Sequence, residues 1–504
     1  LCGIAGFTHN KAPYHYQRIR DSISTLIHRG PDQQGCYESD RICLGATRLK
    51  ILDLAGGDQP IVSADKDVVI VFNGEIYNHL ELRAQLEQRG HRFHTHTDTE
   101  TVLQAFIEWD TKCFSRMRGM FAVALWTESQ QRLILARDRA GIKPLYFSQR
   151  GIDIIFGSEM KTIFAHPDVE RRLNMAALDC YLALNYVPCP LTLVQGIEQL
   201  PPGEWLEWKN GVARRETFWR LPVGTTRTIT LESAAEQLDT LLDQSVREHM
   251  LSDVPLGLWL SGGLDSSTLL HYASAASSSP IRTFSISFDG RTFNDGDYSQ
   301  QVAAQYGTRH EQVNFTDDFD LQSAIEEFAY YADNPNADAG ALPVWFLSKM
   351  TRQNVTVALS GEGADELFGG YLTYRADELA KSARRVPAPL IKVAARASQL
   401  LPASNDKISF EYKAKRFLAG TLMPFERAHV YWNGTFSDAE KQELVPNRLP
   451  AGLAPILSEL RLAGNKLKSF LWFDQKYFMV DDILAKVDRI SMAHSIEVRP
   501  PFLD

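Results

Sequence analysis

The chain has 504 residues, 23% charged and 44% hydrophobic, with a formal net charge of −9 and a pI near 5.9. That length leaves room for two or more domains, each with its own core. The acidic balance excludes general electrostatic attraction to nucleic acid or anionic membrane, and no apolar run approaches the roughly 18 residues that cross a bilayer. The first residues lack the basic and apolar regions of a signal peptide. Six cysteines (Cys2, Cys36, Cys43, Cys113, Cys180, Cys189) show no CxxC spacing and read as reduced thiols of a cytoplasmic protein.

The N-terminal stretch LCGIAGF places Cys2 almost at the chain start. With the preceding residue removed, a thiol and a free α-amino group share one residue. An α-amino pKa near 8 supplies a usable base at neutral pH, which is the logic of an N-terminal nucleophile. Up to about Trp208 the pattern is short and strand-rich, with VVIVFNGEIY (68–77), MFAVALW (120–126), RLILARD (132–138) and DIIFGSE (153–159). Helical periodicity interrupts it at 79–90 and 99–109. An α+β layered domain follows from this mixture. NGE ends the strand VVIVF, so the Asn73 amide and the Gly74 N–H can aim at a common point. Two such donors suit an oxyanion hole, where one is worth about 2.7–4 kcal/mol; the plainer alternative is an Asn-Gly turn. Arg48 offers a fork for a carboxylate and Asp98 a partner for an ammonium, although each alone is more often a solvated charge or salt bridge. His91, His94 and His96 are expected as partly exposed histidines on a strand, because no cysteine or carboxylate pattern completes a metal site. The polar stretch 209–230 reads as the join between halves.

The second half alternates as strand 254–260, helix 265–276, strand 281–288, helix 297–306, strand 309–315, helices 319–332 and 342–352, and strand 355–359. That is the signature of an α/β parallel sheet. Three strand ends carry distinctive loops: SGGLDSS (261–267), SFDG (287–290) and SGEGADE (360–366). Ligands bind beyond such strand ends, and glycines let backbone N–H groups approach a phosphate. Yet the loop holds no lysine, and a helix N-terminus supplies only about +0.5 charge. Asp265 and Asp365 therefore read as carboxylates for Mg²⁺ bridging to phosphates. After Tyr371 the pattern turns helical.

SGGLDSS resembles the pyrophosphate loop of ATP pyrophosphatases, and LSGEGADELFGGY (359–371) resembles the companion loop of glutamine-dependent asparagine synthetases. The resemblance implies ATP binding by Leu260, Ser261, Gly262, Gly263, Leu264, Asp265, Ser266, Ile286, Ser360 and Gly361. It implies an acidic group, Glu362, at the acyl-adenylate and ammonia site. CGI, HRGPD (28–32), RLKILD (48–53), NGEIYNH (73–79), TDTE (97–100) and RDRAGIKPLYF (137–147) are similar, in this order, to class II glutamine amidotransferases. That likeness implies an N-terminal nucleophile hydrolase fold in which Cys2 attacks glutamine, while Arg48, Leu52 (through its backbone), Asn73, Gly74, Glu75 and Asp98 position it.

The resemblance implies residues 1–208 as a glutaminase, 209–230 as linker and 231–504 as an ATP-dependent synthetase, with Mg²⁺ as cofactor and glutamine, ATP and aspartate as substrates. A homodimer is compatible with it. DDILAKVDRISMAHSIEVRPPFLD (481–504) extends the match, with Lys486, Asp488 and Arg489 expected near the synthetase site. The family continues beyond PFLD, so the synthetase part is expected to be C-terminally incomplete here. Leu1 stands where a methionine is expected, and the native protein is expected to begin at Cys2. Two other functions stay open: amidation of a different carboxylate, such as a sugar acid or natural-product intermediate, and an inactive relative with dead sites.

Overall fold

The structure is a computed structural model describing residues 2–9, 15–167, 169–223, 228–288, 296–315, 320–402, 409–445 and 449–504. Among the described residues, twelve strands form its first half: β1 (Cys2–Thr8), β2 (Gln33–Glu38), β3 (Ile42–Arg48), β4 (Ile61–Val62), β5 (Val68–Ile76), β6 (Gly119–Thr127), β7 (Arg132–Arg137), β8 (Tyr146–Arg150), β9 (Asp153–Gly157), β10 (Glu198–Gln199), β11 (Glu204–Lys209) and β12 (Val212–Thr217). They make two antiparallel six-stranded sheets, ordered β10-β8-β9-β1-β3-β2 and β12-β11-β7-β6-β5-β4. Ile4, Leu44, Val71, Trp126, Leu135 and Phe156 pack between the sheets. Helices His79–Gln88 and Asp98–Trp109 cover one outer face through Leu86, Val102 and Phe106, and His15–Ser24 covers the other through Ile19 and Ile23. Both faces of β5 are thus covered, and all nine of its residues are buried. This explains why VVIVF reads as a continuous apolar run and not as an alternation.

The second half holds β13 (Leu256–Trp259), β14 (Arg282–Phe288), β15 (Arg309–Phe315), β16 (Val357–Leu359) and β17 (Glu497–Arg499), all parallel, in the order β15-β14-β13-β16-β17. The order runs outward from β13 to β15, then resumes on the other side of β13 with β16. The switch point therefore lies between β13 and β16, where an open α/β sheet has its ligand crevice. Helix Leu264–Ala276 packs on one face and helices Ala341–Thr351 and Ala485–Ala493 on the other.

Three expectations change. The segment read as the join contains β12, an edge strand paired along β11, so its first part belongs to the sheet. β17 is an added fifth strand that three residues, two of them charged, did not announce. His91, His94 and His96 lie in an irregular segment between two helices, not on a strand. There His91 meets Gln104 and Glu108 through its two ring nitrogens, at 2.8 and 3.0 Å. In the SFDG loop, Asp289 and Gly290 lie outside the described residues, as does Leu1.

Candidate active sites at the two halves of the chain

Cys2 opens β1 and is 5% exposed. Its backbone N–H donates to Asn73 Oδ1 at 3.0 Å. That contact uses the carbonyl end of the Asn73 amide, and Nδ2, fully buried, has no partner in the ligand-free protein. A buried donor without a partner costs about 1–3 kcal/mol; here it belongs to the same amide that holds the Cys2 backbone, as a donor for an oxyanion would. Gly74 has no room for a side chain, since a Cβ there would lie 2.2 Å from the Met120 carbonyl oxygen. The Asn-Gly pair is strand interior, not a hairpin turn, because β5 continues through Ile76 in register with β6.

Asp98 begins the helix capped by Thr97, and its Oδ2 accepts the Ile76 N–H at 2.9 Å. Burial raises its pKa, with His79 and the Ile76 N–H pulling it back. Glu75 is raised well above the carboxylate range by burial and then by Asp98, with Arg499 opposing. Two buried carboxylates thus lie close together, and Glu75 is paired with Arg499 at 3.3 Å. Arg48 is used differently from expectation. Its Nη1 donates to Gly56 O and Asp58 Oδ1, and its Nη2 to Leu52 O and Asp53 O, at 2.6–3.0 Å. The guanidinium pins the 52–58 loop over the pocket, and the Leu52 carbonyl is engaged by it.

Sequence reasoning missed two residues here. Gln59 donates to Cys2 Sγ at 3.4 Å; its only signal was its place after the glycines of LAGGDQP. Arg29, inside HRGPD, donates from Nε to the Cys2 carbonyl at 3.3 Å and binds Glu159 and Asp488 through its other nitrogens.

In the other half, β13 ends at Trp259 and helix Leu264–Ala276 begins after Gly263, which provides no side-chain cap. The first N–H groups of that helix are thus open to an anion. Gly262 has φ +77° and sits so close to the helix beginning at Gly296 that a Cβ would lie 2.5 Å from Ser299 N. Ser261 and Ser266 share a hydroxyl contact at 3.0 Å. Gly361 packs against this turn, with a would-be Cβ 3.3 Å from the Asp265 Cβ, so the two glycine loops form one crevice at the switch point. Burial raises the pKa of both Asp265 and Asp365, and Asp365 adds to the rise at Asp265. Two carboxylates in one crevice are a donor set that fits Mg²⁺, which takes its remaining ligands from phosphate and water. Among the described residues no group of three or more metal-ligating side chains occurs.

Glu362 follows β16, accepts from Ser360 Oγ at 3.3 Å, and has its pKa raised by burial, with Lys486 pulling it back. Lys486 forms an ion pair with Asp338. Burial lowers its pKa, but Asp338, Glu362 and Asp482 more than offset that. Asp488 lines one small cavity with Glu362, and Arg489 lines another with Lys486, while their side chains also reach the first half of the chain. Asp488 pairs with Arg29 at 2.9 Å and Lys143 at 3.1 Å, and Arg489 donates to Tyr146 OH and Ser158 O. Successive positions on one helix thus address the synthetase crevice and the first half of the chain. A cavity of about 10 Å³ lies in this seam, lined by Lys143 and Ile142 on one side and Glu362, Val487 and Val498 on the other.

Comparison with known proteins agrees with this two-site layout. A glutamine amidotransferase domain model matches residues 1–219 and an asparagine synthase model matches residues 237–504. Glutamine-hydrolyzing asparagine synthetase 1 of Bacillus subtilis is 32% identical over 515 residues, covering 100% of this chain and 79% of that protein. Asparagine synthetase 3 of the same organism is 29% identical over 524 residues, covering 100% and 79%. Asparagine synthetase B of Escherichia coli K12 is 30% identical over 456 residues, covering 86% and 76%. With one model matching each half and relatives matching across both, the chain belongs to the glutamine-hydrolysing asparagine synthetase family.

Proposed function

We propose that this protein converts aspartate, ATP and glutamine to asparagine, AMP, pyrophosphate and glutamate. Residues 1–208, with β12 added at the edge of their sheet, act as the glutaminase and 231–504 as the synthetase, joined through the rest of 209–230. In the first half the Cys2 sulfur attacks the glutamine side-chain amide. A C–S bond forms and the C–N bond breaks; the thiol proton leaves on ammonia, and water then releases glutamate and restores the thiol. Asn73 Nδ2 and the Gly74 N–H hold the oxyanion. Asp98 and Glu75 face the substrate ammonium, and Arg48 shapes the pocket through the Leu52 loop.

In the second half the N–H groups of 261–266, with Ser360 and Gly361, hold the phosphates of ATP, and Leu260 and Ile286 flank the nucleotide. Asp265 and Asp365 would hold Mg²⁺, which when bound supplies the charge that balances the leaving pyrophosphate. The aspartate side-chain carboxylate displaces pyrophosphate to give an acyl-adenylate. Ammonia then displaces AMP, and the proton it sheds is taken near Glu362, whose raised pKa suits that task.

One observation carries the reading. Arg29 connects the Cys2 carbonyl to Asp488, on the helix that also presents Lys486 to Glu362. The two sites are therefore tied to one buried helix, an arrangement that supports passing ammonia from one to the other inside the protein. The test is incubation with ATP, Mg²⁺, glutamine and a panel of carboxylates. Pyrophosphate release that depends on aspartate, with asparagine formed in equal amount, supports the proposal; release dependent on another acid reassigns the acceptor.

A further inference from the structure

We propose that Gln59 is a positioning residue for the Cys2 thiolate, holding the sulfur toward the Asn73 and Gly74 donors through a side-chain N–H···S bond. This rests on the reading of Cys2 as the glutaminase nucleophile. Gln59 is 3% exposed, and its amide is fixed in orientation. Oε1 accepts the Phe72 N–H at 2.7 Å and Nε2 donates to Phe72 O at 3.0 Å, so the second Nε2 hydrogen is left for Cys2 Sγ at 3.4 Å. The backbone of Gln59 is held in turn by the Gln33 side chain, at 3.2 and 2.8 Å. Phe72 immediately precedes Asn73, which binds the Cys2 N–H. Two adjacent β5 residues therefore set both ends of Cys2: Asn73 directly, and Phe72 through Gln59.

The chemical consequence follows from what sulfur accepts. A thiol sulfur is a weak acceptor and a thiolate a strong one, so a fixed donor stabilises the charged form. The surroundings need that help. Burial pushes the Cys2 thiol up; the amino terminus, Arg48 and the Leu49 N–H pull it down, and Asp98 pushes it up. Glu75 adds a second acidic group on β5, and Arg29 is turned to the Cys2 carbonyl and its own carboxylates. Gln59 is an uncharged donor aimed at the sulfur itself, and it needs no counter-ion where the substrate must enter.

The experiment compares wild type, Gln59→Leu and Gln59→Glu in the full-length protein. The Glu variant is isosteric and keeps an acceptor for Phe72 N–H while losing the donor. Alkylation of Cys2 by iodoacetamide is followed across pH by peptide mass spectrometry, beside glutaminase kcat/KM. Ammonia-dependent pyrophosphate release reports an intact fold, and Cys2→Ala tests the underlying reading. The expected result is an upward shift of the thiol profile by about one pH unit in Gln59→Leu, equivalent to about tenfold slower alkylation at pH 7. The shift is larger in Gln59→Glu, and ammonia-dependent release stays within about twofold of wild type. An unchanged pH profile in whichever variants keep ammonia-dependent release overturns the proposal, even if turnover falls. Glutaminase activity surviving in Cys2→Ala overturns the nucleophile assignment instead.

Discussion

Replacing Arg499 with Met tests how the two halves are held together. Arg499 lies on β17 and is completely buried. Its backbone carbonyl accepts the Ser360 N–H of the phosphate crevice at 3.0 Å, while Nη2 reaches Glu75 of the glutaminase pocket at 3.3 Å and Nε binds Glu497 at 2.5 Å. Nη1 donates to the carbonyls of His249 and Leu251, both at 2.7 Å. Methionine fills much of the volume but strands two carboxylates and two carbonyls. Breaking a buried ion pair costs about 3–5 kcal/mol and an orphaned carbonyl about 1–3 kcal/mol, against a typical margin of about 5–15 kcal/mol. We expect the first urea unfolding transition of Arg499→Met to lose several kcal/mol, and glutaminase activity to fall because Glu75 adjoins Gly74. Glu75→Gln in the Arg499→Met background removes the stranded charge, so the double variant should recover at least about 1.5 kcal/mol relative to additivity. The defect should also ease as pH falls. Burial already holds Glu75 well above the carboxylate range, and loss of Arg499 lets it bind a proton that the unfolded chain releases. Additivity within about 0.5 kcal/mol would refute the bridge as a coupled unit.

Asp265→Asn should abolish acceptor-dependent pyrophosphate release while leaving glutaminase turnover largely intact; unchanged release at saturating ATP and limiting Mg²⁺ would remove Asp265 from metal binding. Cys2→Ala should end glutamine use but keep synthesis from added ammonium salts, measured as asparagine formed with each nitrogen source. His429 is buried between Asp377 at 2.7 Å and Asp474 at 2.9 Å. Burial would lower its pKa, yet the two carboxylates carry it up to about 10. Its contribution is therefore complete below the unfolded value of about 6.5 and is lost as pH rises toward 10. His429→Asn should cost about 3–5 kcal/mol at pH 6 and much less at pH 10, and a pH-independent difference in unfolding free energy would contradict the charged-histidine assignment.

The loops were legible because their chemistry is local. Glycines at 262 and 263, serines at 261 and 266 and an aspartate at the first helical turn need only a strand before them and a helix after them, and period alone supplies both. The same holds for Asn73 and Gly74 at the end of an apolar run. Their strand was legible, but its continuation through Ile76 was not, because NGE reads equally as a turn until β6 is seen pairing alongside it. Roles set by partners distant in the chain could not be read. Arg48 looked like a free fork, and folding gave its four Nη hydrogens to the 52–58 loop. Gln59 has no readable role until β5 and β1 bring Phe72 to both ends of its amide and Cys2 to the nitrogen end. β17 is three residues long and gains its hydrogen bonds only because β16 already lies in place, with roughly 140 residues separating the two strands. Lys486 and Asp488, two positions apart, pair with different halves of the chain only because one helix packs between Asp338 on one side and Arg29 and Lys143 on the other. Sequence alone determined which chemistries the chain contains, since each needs a few neighbouring residues of the right type. Tertiary structure decided which of them share a seam, because burial and charge compensation depend on what packs across it.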